Sequence, residues 1–324
     1  MAAQHFPNDF ELSLIDIGAA GGIHPRWGDL SNPQTSVLMF EPEAKAFEEM
    51  DGVQTGRIKI LPIALSDVST NRTLHIARKG MCSSLHERNF DFVNRFPEKE
   101  RFEIIGEEEM PTEPLDENVA KQDFGPIDFI KIDVEGHENS VIASGKNTLS
   151  QAIGIEAEML FAPLFIGGAT FCDQHKSYTE MGYELYDLQR YYWKREIGKN
   201  MPSTGQIIYC NGLYLKSPEN IIKDEFTDAR RVRAALRVYA SFGLFDLVKE
   251  LLVLARSNDL ISKEDADLVG TCLAGVRYSQ NQEDHMGFVH RLLQKVAKIL
   301  DALSRKIEPT WEERSWSHSD SDLG

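Results

Sequence analysis

Cysteine is scarce in this chain and scattered. Cys82, Cys172, Cys210 and Cys272 form no C-x-x-C pair, which excludes the usual spacing of a structural zinc site and a disulfide framework. Reduced thiols of a reducing compartment are the simplest reading. Basic residues are outnumbered, 35 Lys and Arg against 51 Asp and Glu, for a formal net charge of −16. Nucleic acid is bound largely by cationic side chains that displace its counterions, so this balance argues against such a partner. No apolar run approaches the ~18 residues of a membrane span. Met1 to Glu11 carries Asp9 and Glu11 and lacks the apolar core of a signal peptide. The expectation is a soluble, cytoplasmic protein. Also missing is the dinucleotide fingerprint G-x-G-x-x-G, whose positions would fall on Gly18, Ala20 and Ile23.

What is present is organised around one stretch. Leu12 to Ile17 is a short apolar run broken by Asp16 and followed by Gly18, Gly21 and Gly22. That is the pattern of a buried parallel strand feeding a tight turn. Glycines let the backbone bend there and let a small ligand lie against it. Asp16 puts negative charge where a pyrophosphate would be repelled and where the cationic parts of S-adenosylmethionine would be welcome. Ser36 to Phe40 is a second apolar run ending in Glu41, and an acid at the tip of a second strand is placed to accept hydrogen bonds from ribose hydroxyls.

Further along, Arg57 to Leu65 reads as a third strand whose end, Ala64-Leu65-Ser66-Asp67, would meet an adenine. Residues 80–112 are polar and acidic, the composition of a lid or insertion with Glu107-Glu108-Glu109 as a solvated face. Phe129 to Ile132 is another strand, with Asp133 at its carboxyl end and Gly136 allowing the turn into a helix that runs to about Leu149. Ligands of open α/β sheets bind outside the carboxyl ends of strands, so Asp133, Glu135 and His137 should share a crevice with Asp16 and Glu41. In the following strand, Ile153 to Met159, alternation puts Glu156 and Glu158 on one face, where buried acids need a partner or a metal. Tyr183 to Leu188 and Gln206 to Leu215 read as two closing strands with no helix between them, the sign of an antiparallel edge. The loop expected between them carries Arg190-Tyr191-Tyr192-Trp193-Lys194-Arg195.

Beyond Pro218 the spacing predicts helices over Asp228 to Ser241 and Leu244 to Ser257, hinged at Gly243, and a last one from about Asp284 to Leu303. The apolar stripe of the last, which includes Val289, Leu292 and Val296, is either core packing or a homodimer seam. The reading is thus an α/β domain over 1–217, a helical region over 218–305 and a disordered tail over 306–324.

The ordered set Ile15-Asp16-Ile17-Gly18-Ala19-Ala20-Gly21, Phe40-Glu41-Pro42, Ala64-Leu65-Ser66-Asp67, Ser83-Ser84-Leu85, Leu115-Asp116 and Ile130-Lys131-Ile132-Asp133-Val134-Glu135-Gly136 resembles the FkbM family of S-adenosylmethionine-dependent methyltransferases. The resemblance covers about residues 12–217. It implies a doubly wound, Rossmann-like, seven-stranded sheet with an antiparallel last strand, and methyl transfer, usually to a hydroxyl oxygen. By position it implies that Asp16, Gly18, Ala19 and Gly21 line the methionine moiety of the cofactor, that Glu41 holds the ribose, and that Ala64, Leu65 and Ser66 flank the adenine. Asp133 would lie near the transferring methyl and Ser84 near the acceptor. Pro114 stands before Leu115-Asp116 where a Thr is commoner, and the helices after Pro218 lie outside the family domain.

Methyl transfer from a sulfonium is an in-line displacement, so a protein mainly supplies alignment and a route for the hydroxyl proton. Asp133, Glu135, His137 and Glu158 are the candidates, as base or jointly as ligands of a divalent metal that would acidify the hydroxyl. Against this, Glu135 could serve only to shape the Gly136 turn and His137 only to start a helix. Arg190 and Trp193 are acceptor candidates, because aromatic faces stack on sugar rings and guanidinium groups grip anions. A solvated hairpin with packed aromatics is the competing reading. The expected acceptor is a hydroxyl of a sugar or glycan. Two other classes fit the same pattern: an NAD-linked oxidoreductase or epimerase on the same sheet, and a non-catalytic interaction module built on the helical tail.

Overall fold

Strands whose residues are apolar on both faces need cover on both faces, and Leu12–Ile17 is buried from end to end. The computed structural model describes residues 10–285, apart from 21, 23, 28–33, 51, 53 and 123, together with 317–319. In chain order the strands are β1 (Leu12–Ile17), β2 (Thr35–Phe40), β3 (Ile58–Leu61), β4 (Ala64–Leu65), β5 (Thr70–Ala77), β6 (Ile104–Glu113), β7 (Phe129–Ile132), β8 (Gly154–Leu160), β9 (Glu184–Trp193), β10 (Gln206–Leu215) and β11 (Ser317–Ser319). The helices are α1 (Ala44–Met50), α2 (Phe90–Val93), α3 (Leu115–Lys121), α4 (Glu138–Ser144), α5 (Lys146–Gln151), α6 (Phe171–Glu180), α7 (Pro218–Lys223), α8 (Ala229–Ser241), α9 (Phe245–Ser257) and α10 (Lys263–His285).

The main sheet runs β11-β9-β10-β8-β7-β1-β2-β3. β3, β2, β1, β7 and β8 pair in parallel, and β10 is antiparallel to both β8 and β9. This is the doubly wound, seven-stranded Rossmann-like sheet with an antiparallel last strand that the resemblance implies. β11 adds an eighth strand along β9, inside the tail expected to be disordered. β9 runs on to Trp193, so Arg190 to Trp193 belong to a strand and not to the expected loop.

The third strand ends early. Pro62 has no N–H to continue the ladder, and Ala64 and Leu65 instead pair in parallel with Thr112 and Glu113 in a small second sheet, β4-β6-β5. Glu107, Glu108 and Glu109 lie exposed on β6. The helix expected from Gly136 to Leu149 is two helices, α4 and α5, separated at Gly145.

Alternation sorts the strands' side chains onto two helical layers. Leu12 and Leu14 of β1 and Val37 and Met39 of β2 pack with Val232 and Leu236 of α8 and with Leu251 of α9. Ile15, Ile17, Leu38 and Phe40 face the other way, toward Val141 of α4 and Tyr178 of α6. The helices beyond Pro218 therefore share their core with the sheet. Charge reinforces the contact. Asp128, fully buried, accepts two hydrogen bonds from Arg230 at 2.5 and 2.6 Å and one from the Ser13 N–H at 2.8 Å. Arg237 donates to the Phe10 carbonyl at 2.5 Å and to Thr35 Oγ1 at 2.7 Å. The stripe offered as a dimer seam lies outside the described residues, and α10 takes a place that its polar sequence did not announce. Among the described residues no helix is long and apolar enough to cross a membrane.

Arg230→Ala strands the Asp128 carboxylate in the core and should cost about 3–5 kcal/mol in urea-unfolding free energy. A loss below about 1 kcal/mol would contradict the role given to this pair.

Candidate active site

A cavity of about 250 Å³ opens beyond the carboxyl ends of β1, β2 and β7 and is roofed by the segment between β5 and β6. Its floor is a meeting of two backbones. Gly18 has φ +79°, and a β-carbon there would collide with the Asp133 carbonyl, so glycine is required where the ends of β1 and β7 touch. The contact is locked by the Asp133 N–H to the Ile17 carbonyl at 2.9 Å and the Gly18 N–H to the Phe40 carbonyl at 3.0 Å.

One charge stands in the otherwise apolar β7. Lys131 Nζ lies 3.4 Å from Asp16 Oδ1, 3.3 Å from Asp133 Oδ2 and 3.4 Å from the Gly18 carbonyl. Register aligns Asp16, Lys131 and Glu156 across β1, β7 and β8, and Glu156 in turn pairs with Arg26 at 3.0 Å. Burial pushes Asp16 up to about 6 against the pull of Lys131. Burial opposes the Lys131 charge, yet Asp133 and Asp16 hold its pKa above the ordinary value. Asp16 and Lys131 are thus an ion pair at neutral pH.

Asp16 therefore lies under the Lys131 ammonium and does not line the cavity, and Ala19 is core. Trp27, beside Arg26, packs on Phe129 and Phe242. Gly21 lies outside the described residues.

Glu41 does line the cavity. It is 4% exposed, its Oε1 accepts the Glu43 N–H at 2.9 Å, and burial pushes its pKa up to about 7. Ala64 and Leu65 form an apolar wall beside it. Ser66 is turned away from the cavity, donating to Asp67 Oδ1 and meeting His137 Nε2, each at 2.9 Å. His137 Nδ1 meets His86 Nε2 at 3.0 Å. Both ring nitrogens of His137 are thus engaged, and burial, with His86 beside it, lowers its pKa to about 4. It lines the cavity and ties the β7–α4 turn to two loops.

Three of the four catalytic candidates do converge. Asp133, Glu135 and Glu158 bring carboxylate oxygens within 4.8 Å of one another at the cavity wall. Glu135 has φ +53° and Gly136 φ +95°, and the turn is closed by Glu138 Oε1 accepting the Val134 and Gly136 N–H groups at 3.1 and 3.2 Å. A left-handed non-glycine residue at such a place is held by its surroundings. Ser84 supplies part of that hold, donating to the Glu135 carbonyl at 2.6 Å, and Arg88 Nη2 lies 3.6 Å from Glu135 Oε2. Burial raises Glu135 to about 7 against the pull of Arg88 and raises Glu158 well above its ordinary value. Glu158 Oε2 has no hydrogen-bond partner among the described residues. These three carboxylates are also the set from which a divalent metal could be held.

In the cap, Trp193 is buried and lines the cavity, while Arg190 is exposed on β9 and does not. Sequence reasoning missed Lys131, Arg88, Arg101 and Asn211, all of which line the cavity. For Lys131 a signal existed, an ammonium inside the run Phe129-Ile130-Lys131-Ile132. For the arginines of the polar segment there was none.

A family model described as "Methyltransferase FkbM domain" matches residues 16–185. Among characterised proteins, the 2-O-methyltransferase NoeI of Sinorhizobium fredii (strain NBRC 101917 / NGR234) is 26% identical over 165 residues, spanning 48% of this chain and 65% of that protein. Among solved structures, precorrin-6y C5,15-methyltransferase of Geobacter metallireducens GS-15 aligns over 64% of this chain and 81% of that one, at 8% identity and a TM-score of 0.33. Magnesium protoporphyrin IX methyltransferase of Synechocystis PCC 6803 aligns over 64% and 71%, at 11% identity and a TM-score of 0.30.

The buried acids set a pH dependence. Glu41 takes its proton near pH 7 in the fold and near 4.5 when unfolded, so the native state holds the extra proton between these values and stability rises as pH falls. Glu135 acts in the same direction, while His137 opposes below about pH 6.5. Thermal melts at about pH 8 and pH 5.5 should show Glu41→Gln losing about 2 kcal/mol of this swing. An unaltered profile would contradict the assignment.

Proposed function

From the premise that the chain belongs to the FkbM methyltransferase family, we propose that it transfers the methyl group of S-adenosylmethionine to a hydroxyl of a sugar or glycan acceptor. The observation that carries this reading is the convergence on one cavity of Glu41, the Gly18 turn and the carboxylates of Asp133, Glu135 and Glu158. The residues fit the cofactor. Glu41 is a buried carboxylate whose charge needs hydrogen-bond donors, which two ribose hydroxyls provide, and Ala64 and Leu65 offer an apolar wall to an adenine. When bound, S-adenosylmethionine supplies an electrophilic methyl on a sulfonium.

The rest is done by the chain. Glu158, whose Oε2 has no hydrogen-bond partner among the described residues, takes the hydroxyl proton in its carboxylate form, made more basic by the upward shift that burial imposes. Glu135, fixed by Ser84 and Arg88, orients the acceptor. The rings of Tyr191 and Tyr209 stack 4.4 Å apart beside Trp193, and all three line the cavity, a surface suited to a sugar ring. The curated relative named above, a 2-O-methyltransferase, supports oxygen as the accepting atom. Two of the three carboxylates already face a cation, Asp133 with Lys131 at 3.3 Å and Glu135 with Arg88 at 3.6 Å. We therefore assign the trio to proton transfer and not to a divalent metal.

In a thermal-shift titration, S-adenosylmethionine and S-adenosylhomocysteine should each raise the melting temperature while NAD leaves it unmoved. A shift with NAD alone would overturn the reading in favour of an oxidoreductase. Glu158→Gln should lower kcat by about 10²-fold or more with S-adenosylhomocysteine binding unchanged, and EDTA should leave the wild-type rate intact. Abolition of the rate by EDTA, restored by a divalent cation, would instead make the trio a metal site.

A further inference from the structure

The cap end of the cavity holds two desolvated guanidinium groups. Arg88 is 4% exposed, with its Cζ 3.8 Å from the Phe165 ring centroid and 4.5 Å from that of Phe102. Its Nη2 donates to the Cys82 carbonyl at 2.7 Å and lies 3.6 Å from Glu135 Oε2. Its Nη1 is buried and has no hydrogen-bond partner among the described residues. Arg101, 8% exposed, has its Cζ 4.4 Å from the same Phe102 ring and 4.7 Å from Trp193. Both side chains line the cavity.

Arginine charge stacked on aromatic rings and removed from water is costly unless an anion completes its hydrogen bonds. For Arg88 the nearby acids meet that need only in part. Burial favours the protonated forms of Glu135 and Glu158, and the Arg88 to Glu135 distance exceeds that of a tight ion pair. Arg101 stays cationic at neutral pH although burial lowers its pKa to about 10. A neutral sugar would leave Arg88 Nη1 unsatisfied, and a site with buried donors discriminates strongly against ligands that lack the matching acceptor.

We propose that Arg88 and Arg101 bind an oxyanion carried by the acceptor, a carboxylate or a phosphate, so that the substrate is an acidic sugar. Because Arg88 adjoins Glu135, and Glu135 adjoins Glu158, the anionic group sits on the same ring as the hydroxyl to be methylated or directly on that ring's substituent. This assignment rests on the methyltransferase reading above and replaces Arg190, which stands outside the cavity, as the source of positive charge.

The test uses the full chain saturated with S-adenosylhomocysteine. Calorimetric titrations with D-glucuronate, D-glucose and inorganic phosphate at matched ionic strength compare one ring with and without a carboxylate, and an oxyanion alone. Glucuronate should bind at least about tenfold tighter than glucose. Arg88→Gln and Arg101→Met should each reduce that preference while S-adenosylhomocysteine binding persists, which also shows that the variants are folded. Phosphate competing with glucuronate would identify a general oxyanion site, and glucuronate binding without phosphate competition a carboxylate site. Equal affinity for the two sugars, binding of neither acidic probe, or a preference that survives both substitutions overturns the proposal. Failure of wild-type protein to bind S-adenosylhomocysteine would sink the methyltransferase reading instead, so the two failures are distinguishable.

Discussion

The Lys131 ammonium lies 3.4 Å from Asp16 and 3.3 Å from Asp133, at the carboxyl ends of two adjacent parallel strands. Parallel strands place their carboxyl ends together, and here each brings an acid, Asp16 buried and Asp133 partly exposed. Without a cation between them, two carboxylates would repel across the point where Gly18 must touch the Asp133 carbonyl. Lys131 holds both acids and also lies 3.4 Å from the Gly18 carbonyl, so one side chain fixes the turn, the strand end and the floor of the cavity. The row continues through Glu156 to Arg26, which keeps the charges alternating across the sheet.

Above this paired floor the charges are incompletely matched. Glu41, Glu135 and Glu158 are all driven toward their protonated forms, first of all by burial, and Arg88 keeps a donor without an acceptor among the described residues. Sites that bind and react carry this kind of frustration, because the interactions they lack are the ones a ligand brings. The division is spatial. The floor is neutralised by the protein itself, while Glu158 Oε2 and Arg88 Nη1 on the walls have no hydrogen-bond partner among the described residues. The helices after Pro218 contribute from behind, covering the opposite side of the sheet and anchoring it through Arg230 and Arg237.

The sheet was legible because buried parallel strands are mainly apolar runs, and β1, β2 and β7 are such runs with one or no charge inside them. Helices α8 and α9 were legible through their spacing and through Gly243, which takes φ +74° at the expected hinge. The tip of the third strand was not, because Pro62 diverts Ala64 and Leu65 into a second sheet. Tyr191, Tyr192 and Trp193 have the composition of a strand, and reading them as a loop put Arg190 into the site when alternation and exposure place it outside. Glu41, Asp133, Glu135 and Glu158 line one cavity, as the sequence led one to expect, because strand ends converge by topology. Arg88 and Arg101 were not, because the cap is assembled from segments with no period to betray which side chain turns inward. Asp16 does not line the cavity but faces Lys131, which was read as one more strand residue.

The central claim, that a single half-buried ammonium organises the cofactor floor, is tested most directly by the affinity of Lys131→Met for S-adenosylhomocysteine, measured by calorimetry on protein whose circular dichroism shows it folded. The account predicts a loss of at least about tenfold, since the freed acids pull apart the contact between Gly18 and Asp133. Wild-type affinity in the folded variant would contradict it.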